Sequence, residues 1–323
     1  MQQRTLGRTG FQVSVVTLGG GGIGMVWGST TEDECVATVK QAVASGINLL
    51  DLAPVYGRGK SEEIVGQAWR DLSPKPLVAT KVFVAPKERS DLAGAVRRSL
   101  EGSLQRLGLG QIDIFQLHNQ VEPREPTAPR RLTLQEVVGP GGVLEAMQKL
   151  KEEGLVKALG FTGIARHDVV RELLTDGRLD TVQLVTNLLC SEGEMGATGD
   201  EPYRDHLEMV RLAQAAGLGV FGIRPFAAGS LTEAIDRTLP ADHPVVRDFA
   251  LARQYLGFLT TETGSSLSLA AMRYALSLPG VSTVVTGAKN RTELAEAVAA
   301  ADVGPLPSPL MERIATVQPS VLR

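Results

Sequence analysis

The sequence predicts an α/β fold: a closed (β/α)8 TIM barrel in a single domain over residues 1–323, with a short N-terminal β-hairpin. Three observations carry this. Eight short, β-branched apolar runs recur along the chain, stretches of helical spacing lie between them, and no linker or composition break divides the 323 residues. Strands alternating with helices give a parallel sheet with helices outside it. A doubly wound open sheet fits the same alternation. The even spread of eight runs favours the barrel, which routinely reaches about 250 residues as one unit.

The opening segment, "RTLGRTGFQVS", has "RTG" as a turn between two short extended pieces, a hairpin placed to cap the bottom of the barrel. The strand runs follow: "VVTL" (15–18), "INLLDL" (47–52), "PLVATKV" (76–82), "QIDIFQLH" (111–118), "VKALGF" (156–161), "DTVQLV" (180–185), "GLGVFGI" (217–223) and "STVVTG" (282–287). Between the first two, Val36, Val39, Ala42 and Val43 share a helical face, with Thr31 as N-cap and Gly46 as the stop. "DLAGAVRRSLEGSLQRLG" and "GVLEAMQKLKEEG" repeat the pattern, each ending in glycine. Two connections exceed what the fold requires, residues 119–140 and 187–204. Both leave the C-terminal ends of strands, the face where barrel enzymes build their sites.

Composition narrows the function classes. Hydrophobic residues make up 43% of the chain and the net charge is −3, with both signs scattered. No basic block points to nucleic acid and no polybasic helix to a membrane surface. "MQQRTLGRTG" lacks a signal-peptide core, and no apolar run of about 18 residues suggests a span. Cys35 and Cys190 are too few for a disulfide framework, so a soluble cytoplasmic protein is expected. The four histidines, at 118, 167, 206 and 243, have no metal-ligand spacing, and no metal is expected. Gly19, Gly21 and Gly24 formally spell a dinucleotide fingerprint, but "MVWGST" intervenes before the next helix and no acidic residue closes a second strand at the required spacing. The glycines instead allow close backbone approach to a ligand, or make a tight turn.

The chemistry lies at strand ends. Asp51 ends the second strand with Tyr56 in the loop after it, Lys81 ends the third, and His118 ends the fourth. A charged group finishing an apolar strand is expensive unless paired. A tyrosine alone, with a pKa near 10, is a poor proton donor or acceptor at neutral pH. An ammonium beside the hydroxyl stabilises phenolate, a carboxylate keeps that lysine charged, and histidine orients a carbonyl oxygen. Such a set protonates an oxygen as hydride reaches carbon, or runs the reverse, with hydride coming from a cofactor.

"DLAPVYG", "ATK" and "FQLHN", in this order on an eight-strand pattern, resemble the aldo-keto reductase superfamily. The likeness runs from "RTLGRTGFQVSVVTLG", similar to the bacterial branch, to "VVTGAKNRTELAEAV". It implies a catalytic tetrad of Asp51, Tyr56, Lys81 and His118 and an extended NAD(P) site on the barrel's C-terminal face. Gly20, Gly21 and Asp51 would approach that cofactor. Gln183 matches the family glutamine that holds the nicotinamide carboxamide, and Thr162 with Gly163 stands where Ser-Asn is usual. Where the family places an aromatic to stack on nicotinamide, this chain has Ile223 and Arg224. Arg224 is left to the ring, the pyrophosphate or the substrate. Pro225, Phe226, Ala228, Gly229 and Leu231 would wrap the pyrophosphate through backbone N–H groups. Gly287, Ala288, Lys289, Arg291 and Glu293 fall in the adenosine-ribose segment. The two cations favour NADP, while the Glu293 carboxylate keeps NAD in play.

The substrate pocket is expected to include Trp27, Tyr56, His118 and Asn119 with parts of the two long loops. Trp27 can equally be a core filler. Polar and acidic residues in 187–204 suggest a sugar or hydroxy-aldehyde. The expected activity is NAD(P)-dependent interconversion of a carbonyl and an alcohol, as in an aldo-keto reductase or sugar dehydrogenase. Two alternatives stand beside it: a nicotinamide-binding regulatory subunit of the same fold, and a barrel isomerase or lyase using Tyr56 and Lys81 without nicotinamide. The expected partner is a small carbonyl or sugar, with the oligomeric state unassigned.

Overall fold

The computed structural model describes residues 1–125, 128–195 and 206–321. Eight parallel strands close into a barrel: β1 (Val16–Gly19), β2 (Leu49–Asp51), β3 (Leu77–Val82), β4 (Ile112–Leu117), β5 (Val156–Thr162), β6 (Thr181–Val185), β7 (Gly219–Ile223) and β8 (Thr283–Thr286). Each pairs with the next in sequence, and β8 pairs with β1, with Val284 opposite Val16. No strand edge of the barrel is left open. The strands begin or end a residue or two from the runs read in the sequence, because those runs include apolar residues of the adjoining turns.

Helix ends follow their sequence signals. Thr31 accepts from Glu34 N–H at 3.2 Å and caps the helix Glu32–Ala44, after which Gly46 adopts a φ of 86°. The helix Leu92–Leu107 ends at Gly108 in the left-handed region.

The N-terminal hairpin pairs Gln3–Thr5 with Gln12–Ser14. Leu6 and Val13 are fully buried in a cluster with Leu49, Ala79, Ile114, Ala158 and Phe221, which closes the N-terminal end of the barrel. Arg4 ties the hairpin down by donating to the carbonyls of Val281 and Leu276 at 2.7 and 3.0 Å. The bottom is therefore plugged, and the opposite face is left for chemistry.

Both long connections emerge on that face. Residues 119–140 have structure of their own: Val121–Glu122 pairs with Leu132–Thr133, and Leu134–Val138 is helical with a Thr133/Glu136 capping box. Arg89 grips Glu136 through two bonds of 2.8 and 2.7 Å. Of the second connection, residues 196–204 lie outside the described residues. No helix among the described residues is long and apolar enough to cross a membrane.

Candidate active site

Pleating and register bring the polar strand ends together. Asp51 pairs with Ala79, and alternate residues of β3 share a face, so Lys81 stands one pleat above Asp51 on the inner wall. Its ammonium donates to both Asp51 oxygens at 2.9 Å and to Leu52 O at 2.7 Å. Lys81 is fully buried. Isolated, that charge would be expensive, and three short bonds to a carboxylate and a carbonyl offset the cost.

The loop carrying Tyr56 is held from two sides. A methyl at Gly57, whose φ is 60°, would fall 2.1 Å from Gly24 O, so only glycine lets this loop pack on the one after β1. Behind it, fully buried Glu62 accepts from Thr80 Oγ1 at 2.6 Å and from Arg106 Nε at 2.7 Å, anchoring the helix Lys60–Trp69 to β3. Tyr56 is thereby set over Lys81, with the ammonium 4.9 Å from the ring centroid. The His118 ring meets Tyr56 edge-on, with centroids 5.5 Å apart and planes at 89°. All four tetrad residues share one locus.

Burial governs their protonation. Removal from water raises the Tyr56 pKa; Lys81 lowers it in opposition, Asp51 adds to the rise, and the phenol ends above its ordinary value. The expected lowering by the ammonium is present but outweighed. Burial pulls Lys81 down, but Asp51 and Tyr56 more than compensate, and it stays charged. His118 is pushed down to about 3 by burial and then by Lys81, so its imidazole is neutral at physiological pH. Its Nδ1 is buried with no hydrogen-bond partner among the described residues.

Asp51 has two further partners. Gln183 donates to Oδ1 at 2.7 Å and Gln116 donates to the same oxygen at 3.2 Å. Thr162 in turn donates to Gln183 Oε1 at 3.4 Å. Gln116 was not singled out from the sequence. Its place two residues before His118, on the inward face of β4, was the available signal. Above Gln183, the buried side chains of Ile164, Val185 and Ile223 form an apolar cluster joined by Met195 and Val285.

The remaining expected residues divide. Trp27 does not enter the barrel core: its indole covers Gly21, where a methyl would meet Nε1 at 2.4 Å. Gly20 is buried against Leu52 and Ser61. A methyl at Gly22 would fall 2.2 Å from Gly287 O and 2.3 Å from Ala288 O, so the loops after β1 and β8 touch through bare backbone. Asn119 ties its own loop to the one after β3. Its amide accepts from Val84 N–H at 2.8 Å and donates to Val84 O and Arg130 O, both at 2.9 Å.

After β7 the backbone turns left-handed at Arg224 (φ 57°), Ala227 (46°), Ala228 (57°) and Gly229 (98°). The turn uses several of its own donors: Ala227 N–H bonds Arg224 O at 2.9 Å, and Gly229 and Leu231 both bond Phe226 O, at 3.0 and 3.1 Å. Pro225 and Leu231 are buried and Phe226 packs on the main core. Arg224 Nη1 reaches Met195 Sδ at 3.2 Å, placing the guanidinium against the loop after β6. Arg237, not anticipated from the sequence, donates to Ala228 O at 3.1 Å and lies beside Gly229.

Both cations of the segment after β8 are paired. Arg291 holds Glu34 through Nε at 3.1 Å and Nη2 at 2.9 Å. Lys289 contacts Glu293 and, at 3.2 Å, Asp236. Glu293 also accepts from Lys289 N–H at 3.0 Å.

Comparison with known proteins agrees with this fold. The family model of the aldo/keto reductase family matches residues 15–318. The chain is 30% identical to L-galactose dehydrogenase of Arabidopsis thaliana over 303 residues, covering 93% of this chain and 88% of that one. It is 27% identical to a probable voltage-gated potassium channel subunit beta of Oryza sativa subsp. japonica, covering 96% and 94%. The solved glycerol dehydrogenase of Gluconobacter oxydans superposes with a TM-score of 0.70 at 26% identity, covering 95% and 92%. The chain belongs to the aldo/keto reductase family.

Proposed function

We propose that the protein is an NAD(P)-dependent oxidoreductase that interconverts a carbonyl and an alcohol, with Tyr56 as proton donor and acceptor. The observation that carries this reading is the contact of the Tyr56 ring with both the Lys81 ammonium and the His118 imidazole. Oxidoreductase relatives over nearly the whole chain support it.

The residues present suit a nicotinamide dinucleotide. The cluster of Ile164, Val185 and Ile223 offers an aliphatic plate where relatives use an aromatic ring, and Gln183 with Thr162 lies beside it to hold a carboxamide. Arg237 and Arg224 bracket the left-handed loop on the side where a diphosphate would run. When bound, the nicotinamide gives or accepts the hydride. Tyr56 donates its proton to the carbonyl oxygen as that oxygen gains charge, and Lys81 steadies the phenolate that results. Asp51 keeps Lys81 cationic and in place. Neutral His118 orients the carbonyl oxygen through an N–H without competing as an acid. Burial keeps the Tyr56 phenol protonated in the ligand-free site, so it is poised to give its proton to a carbonyl oxygen.

At the adenosine end, Lys289 and Arg291 each face a carboxylate before any ligand arrives. That pairing supports NADH as the better-held form, with NADPH also accepted. The L-galactose and glycerol dehydrogenase relatives support a hydroxylated aldehyde or sugar as substrate. Following NADH and NADPH absorbance across a panel of aldoses, hydroxy-aldehydes and their alcohols tests the reading. Turnover with a member of the panel supports it. Tight cofactor binding with no turnover supports instead the regulatory reading, for which the channel-subunit relative speaks. Failure to bind either nicotinamide overturns both.

A further inference from the structure

Gln116 lies wholly inside the barrel on β4, opposite Lys81 of β3 and Gly160 of β5. Its Nε2 donates to Asp51 Oδ1 at 3.2 Å, the oxygen that also receives Lys81 at 2.9 Å and Gln183 at 2.7 Å. Its Oε1 is buried and meets no donor among the described residues. Thr181 Oγ1, across the space left by Gly160, is in the same condition; a methyl at 160 would stand 2.1 Å from it and 3.1 Å from Gln116 Cγ.

A buried amide bonded on one side only is a liability for folding, and a leucine of similar size would remove it. Neither packing nor stability accounts for a glutamine here. Among the described residues its one side-chain hydrogen bond is to Asp51, so the reason for the amide is to be sought there.

We propose that Gln116 is a positioning residue of the proton relay: by donating to Asp51 Oδ1 it fixes the carboxylate beneath Lys81 and draws off part of the negative charge felt by the Tyr56 phenol. This rests on Tyr56 acting as the acid and base. The sign follows from the site. Asp51 raises the Tyr56 pKa, so removing a donor from Asp51 strengthens that effect and moves phenol ionisation to higher pH. Lys81, left with the carboxylate and Leu52 O, also gains freedom to shift, which slows proton transfer.

The test is Gln116→Leu in the full-length protein, read four ways. Tyr56 ionisation is followed by phenolate absorbance against a Tyr56→Phe background. The kcat pH profile, the NADH Kd and the Tm complete the set. We expect the ionisation midpoint and the alkaline limb of kcat to rise together by about half a pH unit or more. We also expect kcat to fall about tenfold, with NADH affinity unchanged and Tm equal or higher. A lower Tm with both titrations unmoved makes Gln116 a structural residue and overturns the proposal. If Gln116→Leu does not fold, Gln116→Met is read in the same way, and failure of both to fold also overturns it. Should the wild-type protein show no turnover, the oxidoreductase reading fails, while the phenolate titration still decides whether Gln116 governs Tyr56.

Discussion

The Lys81 ammonium lies 4.9 Å from the centre of the Tyr56 ring and spends its short hydrogen bonds on Asp51 and Leu52. Two opposed effects meet at the phenol. Burial favours the neutral hydroxyl and the ammonium favours phenolate, and in the ligand-free barrel burial wins. On the proposed reading, the phenol is stored as an acid beside the cation that would stabilise its conjugate base. A proton donor for carbonyl reduction needs that combination.

His118 gives a pH prediction. Its folded pKa of about 3 lies below the ordinary 6.5, so the unfolded chain takes up a proton that the native site refuses. Stability from this group is fully present above about pH 6.5 and is lost as pH falls toward 3. Carbon-13 imidazole shifts should show His118 not titrating above pH 5. His118→Gln should flatten the fall of Tm between pH 6.5 and 4. A His118 signal that titrates near 6.5 contradicts the buried neutral imidazole.

The cofactor prediction concerns Glu293. It pairs with Lys289 and accepts from that residue's own N–H. Glu293→Gln removes one of the two carboxylates on the ammonium and with it a charge that would repel a 2′-phosphate. Because the pair is partly open to solvent, the gain is modest: the NADPH/NADH affinity ratio should rise about three- to tenfold. Adding Glu34→Gln, which releases Arg291, should raise it further. Fluorescence titration measures both, and an unchanged ratio places these groups away from the ribose.

Leu6 tests the plug. It is fully buried at the closed end of the barrel, where a methyl at Gly219 would meet its Cγ at 2.5 Å. Leu6→Ala should destabilise the fold by about 3 kcal/mol in urea denaturation. The kcat of the folded fraction should be unchanged, because the site lies at the other end. A large loss of kcat with normal stability would mean the hairpin acts on the site.

The eight strands were legible because each lies in a short, near-continuous apolar run followed by a helical stretch, the pattern of a parallel sheet covered on its outer face. The tetrad was legible because Asp51 and Lys81 interrupt such runs with charge. Gln183 was picked out by position, but its bond to Asp51 crosses the barrel between strands 132 residues apart, a registration no local pattern encodes. Asn119 was expected to face substrate; its amide donates to carbonyls of its own loop and of the loop after β3, partners that no local pattern announces. Lys289 and Arg291 read as cations for a 2′-phosphate, and their partners Asp236 and Glu34 lie 53 and 257 residues away, beyond any local pattern. Strand chemistry is written locally, whereas the pairing of charges across loops is settled by closure of the ring.

The most direct measurement is the kcat of Tyr56→Phe with the best carbonyl substrate, set beside its NADH dissociation constant. The ring and its contacts with Lys81 and His118 are retained, and only the proton is lost. We expect kcat to fall about 10³-fold while NADH affinity stays within about twofold. Turnover near the wild-type rate in that variant would remove Tyr56 as the acid, and with it the reason for a buried ammonium beneath its ring.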